Sequence, residues 1–301
     1  MTEPNLLSPP AKIPPPVALA LSQKAPRILS TSLSSWLPWP LSLLFSRETP
    51  ETWTIHENLF LSTLRTGDES AALAILARLE TRFGNHNERI MALRGIYNEA
   101  TSKSDAELEN VFDAYQKILK DDPTNMSIKK RSVAVLKALG RTSDAIDALN
   151  ELLQNSPTDA EAWAEASELY ASTEAWGQAI YCAEEVMLIT PNAWSAHAHV
   201  ATLHYLSTKR MPNHESLVVS LKHFCRSVEL NDGYLRGYYG LKFISAKLTG
   251  VHTGSAQLEE IATRKLAEIV RQYKSGNKSW QGYDEAEIIA AGELLDRDVG
   301  V

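Results

Sequence analysis

The chain has 301 residues, 44% of them hydrophobic and 22% charged, enough to bury a substantial core, which excludes wholesale disorder. Its formal net charge of −7 argues against a protein whose main business is nucleic acid, because phosphate binding needs a basic footprint. Two cysteines, Cys182 and Cys225, exclude a disulfide scaffold and fit a reducing compartment, and no run of about 18 apolar residues is present to span a bilayer.

Residues 1–50 hold ten of the fourteen prolines, and prolines fix φ and remove backbone donors, so no long regular element is expected there. The helix-like stretch Val17 to Leu29 is interrupted by Pro26, and the most apolar stretch, Leu33 to Phe45, contains Pro38 and Pro40. This segment reads as a flexible arm with one packing stretch at Leu33–Phe45; it lacks the Arg-rich amphipathic helix of a transit peptide. From Glu51 onward apolar residues recur with helical spacing, as in Leu73, Leu76 and Leu79, and strand-type alternation is absent.

The decisive feature is a period of 34. Pro123, Pro157 and Pro191 are spaced by 34 and 34, and Ala145 and Ala179 each precede a proline by 12. Gly67 lies five before Ala72, and Gly140 lies five before Ala145. In the clearest copy, 160–193, Trp163, Ala166 and Tyr170 mark a first helix, Ala179, Ala183 and Val186 a second, and Pro191 its end. Small residues at fixed places let two antiparallel helices cross closely, with Trp163 and Tyr170 expected to be buried toward the next repeat. This is the tetratricopeptide pattern, and it predicts an all-α solenoid.

The register places units at about 53–86, 87–125, 126–159, 160–193, 194–234 and 235–272. A surplus of five residues falls in Thr101 to Asn110, where a loop is expected, and a seven-residue insertion falls around Ser207 to Glu215. The glycine usual after the third apolar residue of each first helix is expected to be missing, with Ser167 in its place. The domain reading is thus 1–50 extension, 51–272 solenoid, and 273–301 a polar hinge with a helix, Tyr283 to Arg297, that caps the array through Ile288, Ile289, Leu294 and Leu295.

No motif of catalysis, metal binding or phosphate binding is present in the sequence. His197, His199 and His204 cannot share a metal, because 197 and 199 point roughly 200° apart on a helix and no carboxylate completes the set. Gly233, Gly237 and Gly240 match no phosphate-binding loop, and no GxSxG elbow occurs. Neither cysteine has a local base, so both read as packing thiols. No enzyme activity, metal or organic cofactor is expected. What remains is a groove lined by first helices, with candidate protein-binding residues Lys130, Lys137, Glu161, Glu168, Tyr205, Arg236, Tyr239 and Phe243. Asn125-Met126-Ser127 and Asn277-Lys278-Ser279 are glycosylation acceptors if they ever meet a lumen.

Several stretches carry a family resemblance: Tyr115 to Asn125, Lys129-Lys-Arg131, Ala138 to Arg141, Ala145 to Leu152, Asp159 to Trp163, Ala166 to Tyr170 and Cys182-Ala-Glu-Glu185. Together they resemble the second subunit of the endoplasmic-reticulum membrane protein complex, over roughly residues 51–250. The proline-rich start and acidic tail depart from animal members and are closer to fungal forms. The resemblance implies a non-catalytic scaffold, peripheral on the cytoplasmic face of the endoplasmic reticulum, that holds cytosolic parts of membrane subunits during insertion of tail-anchored and multispanning proteins. A soluble co-chaperone gripping an acidic tail is the alternative. Acids at Glu165 and Glu168, where that job needs Lys and Asn, oppose it.

Overall fold

A computed structural model describes residues 5–9, 13–30 and 49–296, and every regular element among them is a helix. The chain divides into two compact units that meet inside one helix, the first ending at Ala148 and the second starting at Leu149.

The first unit opens with α1 (Pro15–Ser22) and α2 (Ala25–Ser30). The helix-like stretch expected at Val17–Leu29 is thus two helices, over 15–22 and 25–30, whose prolines sit where a helix tolerates them: Pro15 opens α1 and Pro26 is the second residue of α2. Leu21 and Ala25 are fully buried against Leu59 and Phe60 of α3 (Pro50–Arg65) and Ile75 of α4 (Glu69–Phe83). Asn58 Nδ2 also donates to the Leu6 carbonyl at 2.7 Å. The packing stretch expected at Leu33–Phe45 lies outside the described residues.

Next come α5 (Glu88–Thr101), α6 (Asp105–Asp121), α7 (Met126–Ala138) and the start of α8 (Thr142–Asn155). The five surplus residues extend α6 instead of a loop. Ser104 accepts from the Glu107 N–H, and Glu107 Oε2 accepts from the Lys103 N–H at 2.6 Å, a box that starts the helix early. The glycine expected to be missing is present once: a Cβ on Gly95 would overlap the Tyr115 hydroxyl, so α5 and α6 meet there. That hydroxyl donates to Glu99 Oε1 at 2.6 Å, and Glu99 takes both Nε and Nη2 of Arg131 on α7.

In the second unit α9 (Ala160–Ser172) pairs with α10 (Trp176–Ile189), α11 (Trp194–Arg210) with α12 (His214–Leu230), and α13 (Leu235–Leu248) with α14 (Ser255–Lys274). A short 3-10 turn, Lys278–Trp280, leads to α15 (Glu285–Asp296). The expected insertion is absorbed by length: α11 and α12 have 17 residues each, against 13 and 14 for α9 and α10. Ala179 and Ser167 are fully buried, and Ser167 Oγ donates to the Ala179 carbonyl at 2.8 Å, a close approach that a larger side chain would prevent.

Two expectations need correction. Trp163 and Tyr170 are half-buried, not buried. Trp163 lies edge-on to Tyr181 at 5.9 Å and its Nε1–H reaches the Pro157 carbonyl at 2.9 Å, a polar obligation that keeps the indole rim at the surface. Tyr170 stands over Ala179, Ala183, Val200 and Leu203 with its hydroxyl accepting from Asn150 at 3.2 Å. On α15, Ile288 is buried but Ile289 is 56% exposed, so only part of the expected face is used for capping.

Three of the turns inside pairs, those of α3/α4, α7/α8 and α9/α10, carry a left-handed residue at the same place. Gly67 and Gly140 have φ of 74° and 71°, and Pro157 and Pro191 close their own second helices two residues past the last turn. Glu174, five before Ala179, takes the same place with φ 58°, where an L side chain costs about 1–2 kcal/mol. Its exposed ion pair with Arg210, at 3.3 Å, returns little of that. Glu174→Gly is expected to raise stability by about 1 kcal/mol, read as a shifted urea midpoint at constant slope.

Candidate protein-binding site

The second unit has an open cavity of about 680 Å³ between the first helices α11 and α13, reached also by α15. Its form follows from residue size. Ser195, Ala198 and Thr202 line one side of α11 with small groups, and Ala290 does the same on α15. On α13 a Cβ at Gly240 would overlap the Phe224 ring, so α12 presses close there and Phe224 joins the larger side chains of α13 in lining the cavity.

Four sequence candidates meet here: Tyr205, Arg236, Tyr239 and Phe243 all line the cavity. Tyr205 and Phe243 pack edge to face at 5.2 Å. Arg236 donates through Nε and Nη2 to Glu287 Oε1 at 2.9 and 2.6 Å, and that bond raises the guanidinium pKa further. The other four lie elsewhere: Lys130, half-buried, and Lys137, exposed, on α7 of the first unit, and Glu161 and Glu168, both exposed, on α9.

Lys209 and Lys247 were not anticipated. Lys209 Nζ sits 5.5 Å from the Tyr205 ring centre, and Lys247 Nζ sits 4.9 Å from Phe243 and 5.9 Å from Tyr205. Each lysine is four residues after the aromatic on its own helix, a spacing that sequence reading could have used. Glu287 left no such signal, being 51 residues from Arg236. A second cavity, of about 460 Å³, lies in the first unit between Trp53, Phe83 and Leu93, with a bidentate pair from Arg89 to Glu57 at its edge.

The histidines behave as packing groups. Ser167 gives its proton to the Ala179 carbonyl, so His199 Nε2, 3.0 Å away, is assigned as donor to Ser167 Oγ; burial lowers the His199 pKa and Glu168 opposes that. His197 Nε2 lies 3.1 Å from the Pro191 carbonyl, which only accepts, leaving His197 Nδ1 to accept from His223 Nδ1 at 3.2 Å. His223 on α12, 26 residues away, is the partner that sequence reading missed. Among the described residues no set of three or more His, Cys, Asp or Glu side chains is arranged to hold a metal ion. Burial raises the thiol pKa of Cys182 to about 11 and also raises that of Cys225.

Paired antiparallel helices, repeated small-residue crossings and a cavity between successive first helices define a tetratricopeptide-repeat protein. Residues 84–223 match the family model described as the EMC2 TPR-like repeat domain. ER membrane protein complex subunit 2-A of Xenopus laevis is 31% identical over 234 residues, 76% of this chain and 75% of that protein. Subunit 2 of Saccharomyces cerevisiae is 29% identical over 231 residues, covering 74% and 77%. The TPR repeat protein oca3 of Schizosaccharomyces pombe is 34% identical over 191 residues, covering 64% of this chain and 65% of its own length. The chain belongs to the family of ER membrane protein complex subunit 2.

The histidine cluster makes stability depend on pH. Burial, then the charges of His197 and His204, push the His223 pKa down from 6.5 to about 4, while Glu184 of α10 pulls His204 the other way. The unfolded chain then binds more protons than the folded one inside that interval, so this contribution is complete above pH about 6.5 and is lost as pH falls toward 4. Melting temperature should fall as pH drops across that window, and His223→Gln should flatten the fall.

Proposed function

We propose that this chain is a non-catalytic scaffold subunit of the endoplasmic-reticulum membrane protein complex. It sits at the cytoplasmic face and holds cytosolic parts of membrane subunits, supporting insertion of tail-anchored and multispanning proteins. The observation that carries this reading is the 31% identity to a named second subunit across 76% of the chain. Two structural features agree with it. Among the described residues no helix is long and apolar enough to cross a membrane, so attachment in this reading runs through partners. The cavity between α11 and α13 offers aromatic anchors of the kind that dominate protein interfaces.

A stable hold on membrane subunits calls for an interface on the order of 2,000 Å² or more, of which the cavity is one part. Tyr239→Ala with Phe243→Ala is expected to leave helical content unchanged by circular dichroism and to lower recovery of membrane subunits in detergent co-purification by about tenfold, as loss of two aromatic anchors does. A folded double variant that co-purifies at full yield would move docking to another surface.

Topology supplies an independent check. Asn125 is only 1% exposed and its side chain caps α7 through the Ile128 N–H at 3.0 Å, so that acceptor is silent in the folded chain whichever side it faces. Asn277 is exposed. No glycan is expected at Asn277 in cells; a shift on glycosidase treatment would place the chain on the lumenal side.

A further inference from the structure

We propose that the cavity between α11 and α13 takes an acidic peptide segment: an aromatic or aliphatic side chain enters between Tyr205, Tyr239 and Phe243, and neighbouring carboxylates meet Lys209 and Lys247. The inference rests on the reading of this cavity as a protein-docking site and adds the chemistry of what docks.

The chain carries 37 acidic and 30 basic side chains, and at least seven arginines among the described residues form ion pairs, including Arg236 with Glu287 and Arg210 with Glu174. Lys209 and Lys247 are different. Among the described residues their ammonium groups meet aromatic faces and no carboxylate, although both flank the same Tyr205 ring, at 5.5 and 5.9 Å. They lie in the last turns of α11 and α13, where the negative helix ends tolerate a cation. That placement accounts for a lysine being acceptable there; it does not explain why Lys209 lines the cavity while Lys247 stands over Phe243 and Tyr205, two of the rings that line it. Stacking on the rings limits their freedom before any ligand arrives, which lowers the ordering cost of binding a carboxylate. The apolar lining, with Leu206, Phe224 and Ile244, selects a ligand that also carries an apolar side chain, as a free anion does not. A basic segment would bring like charges to the two ammoniums.

The test uses the full chain and short fluorescein-labelled peptides read by anisotropy: one with a central Phe flanked by Glu, one with Lys for every Glu, and one with Ala for Phe. The acidic peptide is expected to bind about tenfold more tightly than the basic one, and raising salt from about 0.05 to 0.3 M should weaken it several-fold. The Ala version should lose about tenfold, as removal of a central anchor does. Lys209→Glu with Lys247→Glu should reverse the preference toward the basic peptide. Both lysines are exposed, and should the double reversal unfold, Lys209→Gln with Lys247→Gln should abolish the preference instead. Equal binding of acidic and basic peptides, or a preference unchanged by the reversal, overturns the proposal. So does a reversal that leaves peptide binding intact but releases the protein from phosphatidylserine vesicles, since the cations would then serve a lipid surface. Co-purification of the wild-type chain with membrane subunits decides the scaffold reading separately: a chain that joins the complex yet shows no peptide preference refutes only this inference.

Discussion

The closest approach of two helices sets most of what this protein can be. Helices pack about 8–10 Å apart according to the side chains at the crossing, so a pair is tight only where one partner offers almost nothing. Here that partner is Gly95 beneath Tyr115, Ser167 beside Ala179, and Gly240 beneath Phe224. Ser220 plays the same part by sending its hydroxyl to the Ala201 carbonyl at 2.7 Å. Serine does this without leaving a polar atom unsatisfied, which is why it can stand where the usual pattern has glycine. The 34-residue period follows, because each crossing needs the same helix lengths and turn to bring the next small residue into place.

Those crossings also leave the cavity. Gly240 yields its place on α13 to the Phe224 ring, and both line the cavity together with the bulky Tyr239 and Phe243. Small residues on α11 keep the space from being filled. Packing and site are therefore two consequences of one distribution of large and small side chains, and no separate binding module is needed to explain the cavity.

Much of this was legible in the sequence, for a physical reason. Ala72, Ala145 and Ala179 are fully buried because the crossing admits nothing larger, so their spacing had to survive in the chain. Gly67 and Gly140 announced the left-handed turn, yet Glu174 at the same place was invisible, since only backbone geometry reveals a non-glycine there. The helix-like stretch Val17–Leu29 was legible, but proline counting placed its break at Pro26, because it treats every proline as a breaker and Pro15 and Pro26 sit in first turns. Helix-face reasoning named eight residues, of which Tyr205, Arg236, Tyr239 and Phe243 line one cavity and Lys130, Lys137, Glu161 and Glu168 do not. It could not find Glu287 or His223, whose positions depend on how separate helices dock. For Trp163 the residue type was informative and its degree of burial was not, since the indole N–H had to find the Pro157 carbonyl.

A second spacing runs beneath the first. Glu57 meets Arg89, Glu99 meets Arg131, Glu109 meets Arg141 and Ser167 meets His199, and each pair is 32 residues apart. One period less about half a turn brings residues of neighbouring pairs face to face, so complementary groups at that interval can close the contact between them. In the first unit the interval is filled by charge: the Glu57–Arg89 and Glu109–Arg141 pairs are partly exposed and weak, while Glu99–Arg131 is largely buried and shared with the Tyr115 hydroxyl. Where α11 and α12 are lengthened, the regular interval breaks, and the meeting of first helices passes to Tyr205 and Phe243, 5.2 Å apart. An aromatic pair does not neutralise its neighbours as an ion pair does, and Lys209 and Lys247 are left over it with their charge intact. The insertion that looks like a flaw in the repeat is thus what turns a structural contact into a charged aromatic surface.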